Sequence, residues 1–158
     1  DNLGMDDWTE ALLYAASRRE HINKTIKPAL ERGDIILCDR YLDSSLAYQG
    51  KARHLGIDAV YNMNQYATNG LLPDLTLLVC VRPEVGLERI AKNRGDKDRL
   101  ELETIEFHHN VYDGYIEVAN KYPERIQIVN GEATMEEVAE DAMNKVISFV
   151  KERYGNDN

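Results

Sequence analysis

Three short strand-like stretches, residues 35–38, 75–81 (apolar except for Thr76) and 125–129, are each followed by a stretch with helical signals. The uninterrupted apolar run at 35–38 is of the kind found in strands covered on both faces. Strands that alternate with helices mean a mostly parallel sheet flanked by helices, an α/β fold. The helical stretches carry start and stop signals. Asp6 and Asp7 can cap a long first helix whose apolar positions Leu12, Leu13, Ala16, Ile22, Ile26 and Leu30 recur at helical spacing. Pro28 is expected to kink it near its end, and Gly33 to close it. Residues 57–69 are helical by pattern, and Pro83 opens a helix carrying Val85, Leu87 and Ile90. A helix from about 101 to 121 precedes the third run. After Thr134 a last amphipathic helix lines Met135, Val138, Ala142, Val146, Ile147 and Val150 on one stripe.

At 158 residues, 43% hydrophobic and 30% charged, the chain reads as one soluble domain, 1–158, rather than a disordered segment. A net charge of −9 argues against a nucleic-acid partner, which needs a basic face. It does not exclude a nucleotide, whose phosphates need only a few local arginines. No apolar stretch approaches the roughly 20 residues of a membrane span, and no secretory signal is evident. Cys38 and Cys80 both sit in apolar runs and are expected as buried, reduced thiols, which suits a cytoplasmic setting. The four histidines have no cysteine partners at metal-ligand spacing.

The first apolar run ends in Asp39-Arg40-Tyr41-Leu42-Asp43-Ser44-Ser45-Leu46-Ala47-Tyr48-Gln49-Gly50. Ligands of doubly wound folds bind beyond the carboxyl ends of the strands, where this block stands. Arg40 can fork onto phosphate oxygens and Asp39 can face a metal-bound water. Ser45, Tyr48 and Gln49 offer a hydroxyl, a ring and an amide. The plain alternative is a strand end followed by a helix cap, with Asp43 or Ser44 capping. On the first helix, Tyr14 and Arg18 stand four apart and share a face, so a ring for stacking lies beside a guanidinium for base carbonyls. They could equally be a core aromatic and a solvated charge.

These two blocks, Leu13-Tyr14-Ala15-Ala16-Ser17-Arg18-Arg19-Glu20-His21 and the one opening at Asp39, resemble bacterial thymidylate kinases, ungapped and in the same order. The resemblance implies an ATP- and Mg2+-dependent enzyme that converts dTMP to dTDP. It implies that Arg40 holds the acceptor phosphate, that Asp39 organises Mg2+ through water, and that Ser45, Tyr48 and Gln49 surround thymine and deoxyribose. Tyr14 takes the place of the family's usual phenylalanine stacked on thymine, with Arg18 at the base edge. The charged run at 93–100, with Arg94-Gly95 and Asp98-Arg99, resembles the family's lid, so Arg94 and Arg99 are expected on the moving phosphoryl group. Asn130-Gly131-Glu132-Ala133 is expected against the donor adenine through backbone groups, although a tight turn before a cap at Thr134 explains it equally well. A homodimer is implied too.

The fold implied is that of P-loop nucleoside monophosphate kinases, yet no GxxxxGK[ST] occurs in the 158 residues. The chain is expected to lack the family's first strand as well as its P-loop, to be the larger, C-terminal part of a longer polypeptide, and to be inactive alone. In the family that strand lies between the runs at 35–38 and 75–81. Its neighbours would then carry unpaired backbone groups at ~1–3 kcal/mol each when buried. Two other functions fit the residues: a deoxynucleoside kinase, which also uses an Asp-Arg pair after a strand, and a non-catalytic nucleotide-binding module.

Overall fold

A computed structural model describes residues 4–92 and 103–155. Described residues within Asp1–Leu72 and Asp113–Tyr115 form one unit; those within Pro73–Tyr112 and Ile116–Asn158 form another.

The first unit is built on a helical rod. Asp6 caps helix α1 (Asp7–His21), its Oδ2 accepting from the Thr9 backbone N–H at 2.9 Å. The rod then widens into a π-helical turn, Ile22–Ile26, where the Lys27 N–H reaches back five residues to the Ile22 carbonyl. Helix α2 (Lys27–Glu31) follows, with Pro28 in its first turn, where a missing N–H costs least. The irregularity expected from Pro28 is thus the π turn just before it. Gly33 closes the rod at φ +81, a left-handed conformation that glycine adopts without steric penalty.

The buried side of the rod is Ala11, Ala15, Ile22 and Ile26, not the stripe expected from Leu12, Leu13, Ala16 and Leu30, which are exposed. The small alanines let α1 approach α4 (Ile57–Thr68) closely, and α4 buries Val60, Asn64, Ala67 and Thr68 there. Between these helices run α3 (Leu42–Ser45) and a second π-helical segment, Leu46–Ala52. Leu42, Leu46 and Ala47 are essentially inaccessible and anchor this stretch at about 1.5–3 kcal/mol per large apolar side chain. Helix α4 ends where Asn69 turns left-handed at φ 50.

Residues 34–38 are extended but pair with no strand among the described residues, and Ile35 and Leu37 are 94% and 97% exposed. The strand expected at 35–38 is therefore absent from the described sheet: an apolar run becomes a strand only where a neighbouring ladder takes up its N–H and C=O groups. Cys38 is exposed for the same reason, against the expectation of burial, while Cys80 is half-buried; both are free thiols.

In the second unit β1 (Thr76–Cys80) and β2 (Ile126–Asn130) run parallel, with Thr76 opposite Ile126 and Cys80 opposite Asn130. Parallel neighbours need a long crossover, here carrying α5 (Pro83–Lys92) and α6 (Ile105–Lys121). Val129 is the innermost sheet residue. A capping box starts α7 (Met135–Tyr154): the Thr134 hydroxyl accepts from the Glu137 N–H while the Glu137 carboxylate accepts from the Thr134 N–H. No residue of α7 is fully buried, so its apolar stripe, expected to pack, stays largely exposed. The described chain is a helix-rich α/β protein.

Candidate active site

In the first unit, Asp39 and Arg40 sit at the end of the extended stretch with both side chains exposed. Arg40 has φ 59, the left-handed region that a residue with a Cβ avoids at a cost of roughly 1–3 kcal/mol. That conformation ends the extended run and starts the turn into α3. The Cys38 thiol donates to the Arg40 carbonyl at 3.5 Å. The Arg40 guanidinium lies 5.6 Å from the centre of the Tyr48 ring, a cation–π pair, and its side chain is exposed. Tyr48 and Gln49 occupy consecutive positions of the π-helical segment and turn opposite ways. Tyr48 stays partly open, while the Gln49 amide is buried and donates to the buried Glu10 carboxylate at 2.8 Å.

Arg18 is the hub of the cluster. Its Nη1 donates to Asn64 Oδ1, and its Nη2 donates to the Ser45 hydroxyl at 2.8 Å and the Tyr41 carbonyl at 3.2 Å. Three of a guanidinium's five N–H donors are thereby used, leaving two for a ligand. Its carbon also sits 5.5 Å from the Tyr41 ring centre. Burial lowers the Arg18 pKa, with Tyr41, Cys38 and Asp43 partly restoring it. A guanidinium stays charged at any ordinary pH, so this is a half-buried, permanent cation. Tyr41 is itself raised by burial, and its hydroxyl donates to the Leu71 carbonyl at 3.0 Å. Tyr14, one turn before Arg18, is 46% exposed and joins this hub through no hydrogen bond or ring contact among the described residues.

The structure thus brings Arg18, Ser45, Arg40 and Tyr48 into one region, leaves Tyr14 and Asp39 at its surface, and turns Gln49 inward. Neither Asp43 nor Ser44 caps α3: Tyr41 holds that position, Asp43 is buried, and the Ser44 hydroxyl bonds the Tyr115 hydroxyl at 2.8 Å. Glu10, Asn64 and Tyr115 were not singled out in the sequence, and Ser44 only as a cap. Each is a polar residue inside a helix, whose partner in these bonds lies 39 to 71 positions away and leaves no local pattern.

In the second unit, the loop after β2 is held by arginines. The Glu132 carboxylate accepts from the Arg82 backbone N–H at 2.9 Å and from Arg82 Nε and Nη2 at 2.8 and 2.7 Å. Hydrogen bonding to the Arg82 side chain, then to its backbone, pulls Glu132 down to about 2. Arg89 Nη1 donates to the Gly131 carbonyl at 2.7 Å, and Asn130 Oδ1 accepts from the Glu132 N–H at 3.0 Å. Gly131 donates to the Cys80 carbonyl, and a Cβ there would meet Val79 at 2.8 Å. Backbone groups of Gly131 and Glu132 are thus already engaged within the chain, which the expectation for this loop did not foresee. Arg94, Arg99 and all of 93–100 lie outside the described residues. Among the described residues no cluster of three or more His, Cys, Asp or Glu could hold a metal, and no helix is long and apolar enough to cross a membrane.

The sequence pattern that defines the thymidylate kinase family matches residues 1–142. The chain is 53% identical over 146 residues to a thymidylate kinase of Limosilactobacillus fermentum, covering 92% of this chain and 68% of that one. It is 49% identical to thymidylate kinases of Oceanobacillus iheyensis and Clostridium novyi, covering 97% and 89% of this chain and 68% and 69% of theirs. This chain belongs to the thymidylate kinase family. It is accordingly a phosphotransferase, a kinase of dTDP biosynthesis. Arg18 of the first block and Ser45 of the second, 27 positions apart, share a hydrogen bond.

Proposed function

We propose that the chain takes part in the ATP-dependent phosphorylation of dTMP to dTDP, as one kinase domain of P-loop nucleoside monophosphate kinase type with a lid at about 93–100. The observation that carries this is the pairing of a half-buried, hydrogen-bonded cation, Arg18, with an exposed guanidinium, Arg40, in one unit. A nucleoside monophosphate asks for the same two things: fixed donors for a base edge and a movable fork for a phosphate.

In this reading Arg40 grips the acceptor phosphate, and its two parallel donors orient it for in-line attack on the donor. The two spare donors of Arg18 meet a thymine carbonyl, and the exposed ring of Tyr14 stacks on the base. Ser45 and Tyr48 border the deoxyribose. Gln49 acts from behind: its buried bond to Glu10 ties the Tyr48 segment to α1. Asp39, an exposed hard oxygen donor, suits an indirect contact with Mg2+ through water, and the ion when bound supplies charge neutralisation on the phosphates. Arg94 and Arg99 are assigned to the transferring group, which gains most from positive charge. Asn130-Gly131-Glu132-Ala133 is assigned to the donor base. The 158 residues hold no GxxxxGK[ST], so the donor β- and γ-phosphates are assigned to no residue here. A homodimer completes the reading.

The test compares dTMP with thymidine as acceptor in the full-length protein, ATP being the donor and the product of each acceptor, dTDP or dTMP, being measured. Turnover of dTMP with little of thymidine is expected. Preference for thymidine would make this a deoxynucleoside kinase, and dTMP binding without turnover would make it a binding module.

A further inference from the structure

Beneath Arg40 stands an aromatic pair, Tyr48 and Tyr115, of which the reaction as described uses only Tyr48. The Tyr48 ring has the Arg40 guanidinium on one side, 5.6 Å from its centre. It also meets the edge of Tyr115, with centroids 6.1 Å apart and planes at 87°. Tyr115 is fixed in turn, because its hydroxyl shares a 2.8 Å hydrogen bond with Ser44. Ser44 and Tyr48 lie four residues apart, so the single side chain of Tyr115 braces two points of the segment that follows Arg40. The close approach is built in by Gly114: a Cβ there would stand 2.8 Å from Lys51 Cβ and 3.0 Å from Ala47 Cα. Burial pushes the Tyr115 phenol up to about 12, so it keeps its proton and the Ser44 bond is intact throughout the working pH range.

We propose that Tyr115 is a positioning residue for the acceptor phosphate: bonded to Ser44, it holds the Tyr48 ring that seats the Arg40 guanidinium. Arg40 alone is poorly constrained, being exposed on a left-handed backbone, and its place depends on the ring beneath it. Tyr115 touches no substrate in this scheme. It acts through Tyr48, so its influence falls chiefly on ligands that carry a phosphate, through Arg40, and only weakly on ligands that share the deoxyribose alone. The proposal rests on the reading of Arg40 as the phosphate contact.

Calorimetric titration of the protein with dTMP and with thymidine, which share base and sugar and differ in the phosphate, tests it. Tyr115→Leu is expected to weaken dTMP about three- to fivefold, the scale of an exposed cation–π contact, and thymidine less than about twofold. Tyr115→Phe keeps the ring and should restore most of the affinity. Ser44→Ala, which leaves the ring packing untouched, should give a smaller loss, again chiefly for dTMP. On an Arg40→Ala background, Tyr115→Leu should add almost nothing. Equal weakening of dTMP and thymidine, or full additivity with Arg40→Ala, would show that Tyr115 only packs the unit. An Arg40→Ala variant that binds dTMP normally would instead overturn the reading of Arg40. The two failures are therefore distinguishable.

Discussion

The acceptor-side cluster around Arg18 and the loop after β2 both rely on arginine, but in opposite settings. Arg18 is half-buried among Asn64, Tyr41 and Ser45, and burial lowers its pKa. Arg82, which clamps Glu132, has a side chain 65% exposed. Buried charge is expensive to strand, so the first cluster is rigid and intolerant of change. An exposed pair is weakened by water and salt, so the second holds a loop without locking it. A base edge that must be recognised calls for the first arrangement; a loop that contacts a donor only through its backbone can use the second.

The largest effect that would break this contrast is catalytic. Arg40→Ala should lower kcat/KM for dTMP by about 10²–10³-fold, since it removes charge-assisted donors at the reacting centre, with the fold intact by circular dichroism. Near-normal turnover would remove Arg40 from the mechanism. Next comes Arg18→Ala, expected to weaken dTMP far more than ATP. It should also destabilise the protein by about 1–3 kcal/mol for each acceptor left dry, measured by denaturant unfolding. Arg18→Lys should rescue little, because an ammonium cannot fork to three acceptors. Equal losses of both nucleotides would reduce Arg18 to a packing role.

On the other side, Gly131→Ala forces a methyl against Val79 and Val81 and should cost about 1–3 kcal/mol, with KM for ATP rising and KM for dTMP unchanged. A shift in dTMP alone would contradict the donor-side assignment. The smallest effect belongs to Glu132. Its pKa is depressed from 4.5 to about 2, so whatever stability the pair gives is present above pH 4.5 and is lost as pH falls through about 2. Carboxyl NMR should find that low midpoint, and it should move upward as salt screens the pair. A midpoint that ignores salt would make this pair resemble the buried cluster.

Much of this was legible in the sequence where the signal is local. The helix read at 57–69 is α4, Pro83 opens α5, and Thr134 caps α7 as its residue type and the Glu three positions later require. The stretch at 75–81 contains β1, and that at 125–129 covers β2 except for Asn130. What failed depends on partners. The 35–38 run has strand composition, but Ile35 and Leu37 meet no ladder among the described residues. On α1, leucines at 12 and 13 suggested a buried face, yet the close approach of α4 selects Ala11 and Ala15 instead. Gln49 offered an amide to a ligand, and the buried carboxylate of Glu10, 39 positions earlier, takes it. Tyr115 could not be read at all, because its hydroxyl finds Ser44 across 71 positions.

The left-handed backbone at Arg40 has a consequence for how the protein can be improved. Glycine would occupy φ 59 without the crowding that any Cβ brings there, so Arg40→Gly should relax the turn where Arg40→Ala leaves it tense. Screening variants for heat tolerance alone would therefore tend to favour glycine at this position, and would select away the guanidinium on which turnover is proposed to depend. Durability and activity are set against each other at this one residue. A selection aimed at a hardier enzyme has to hold position 40 fixed and look for its gains elsewhere.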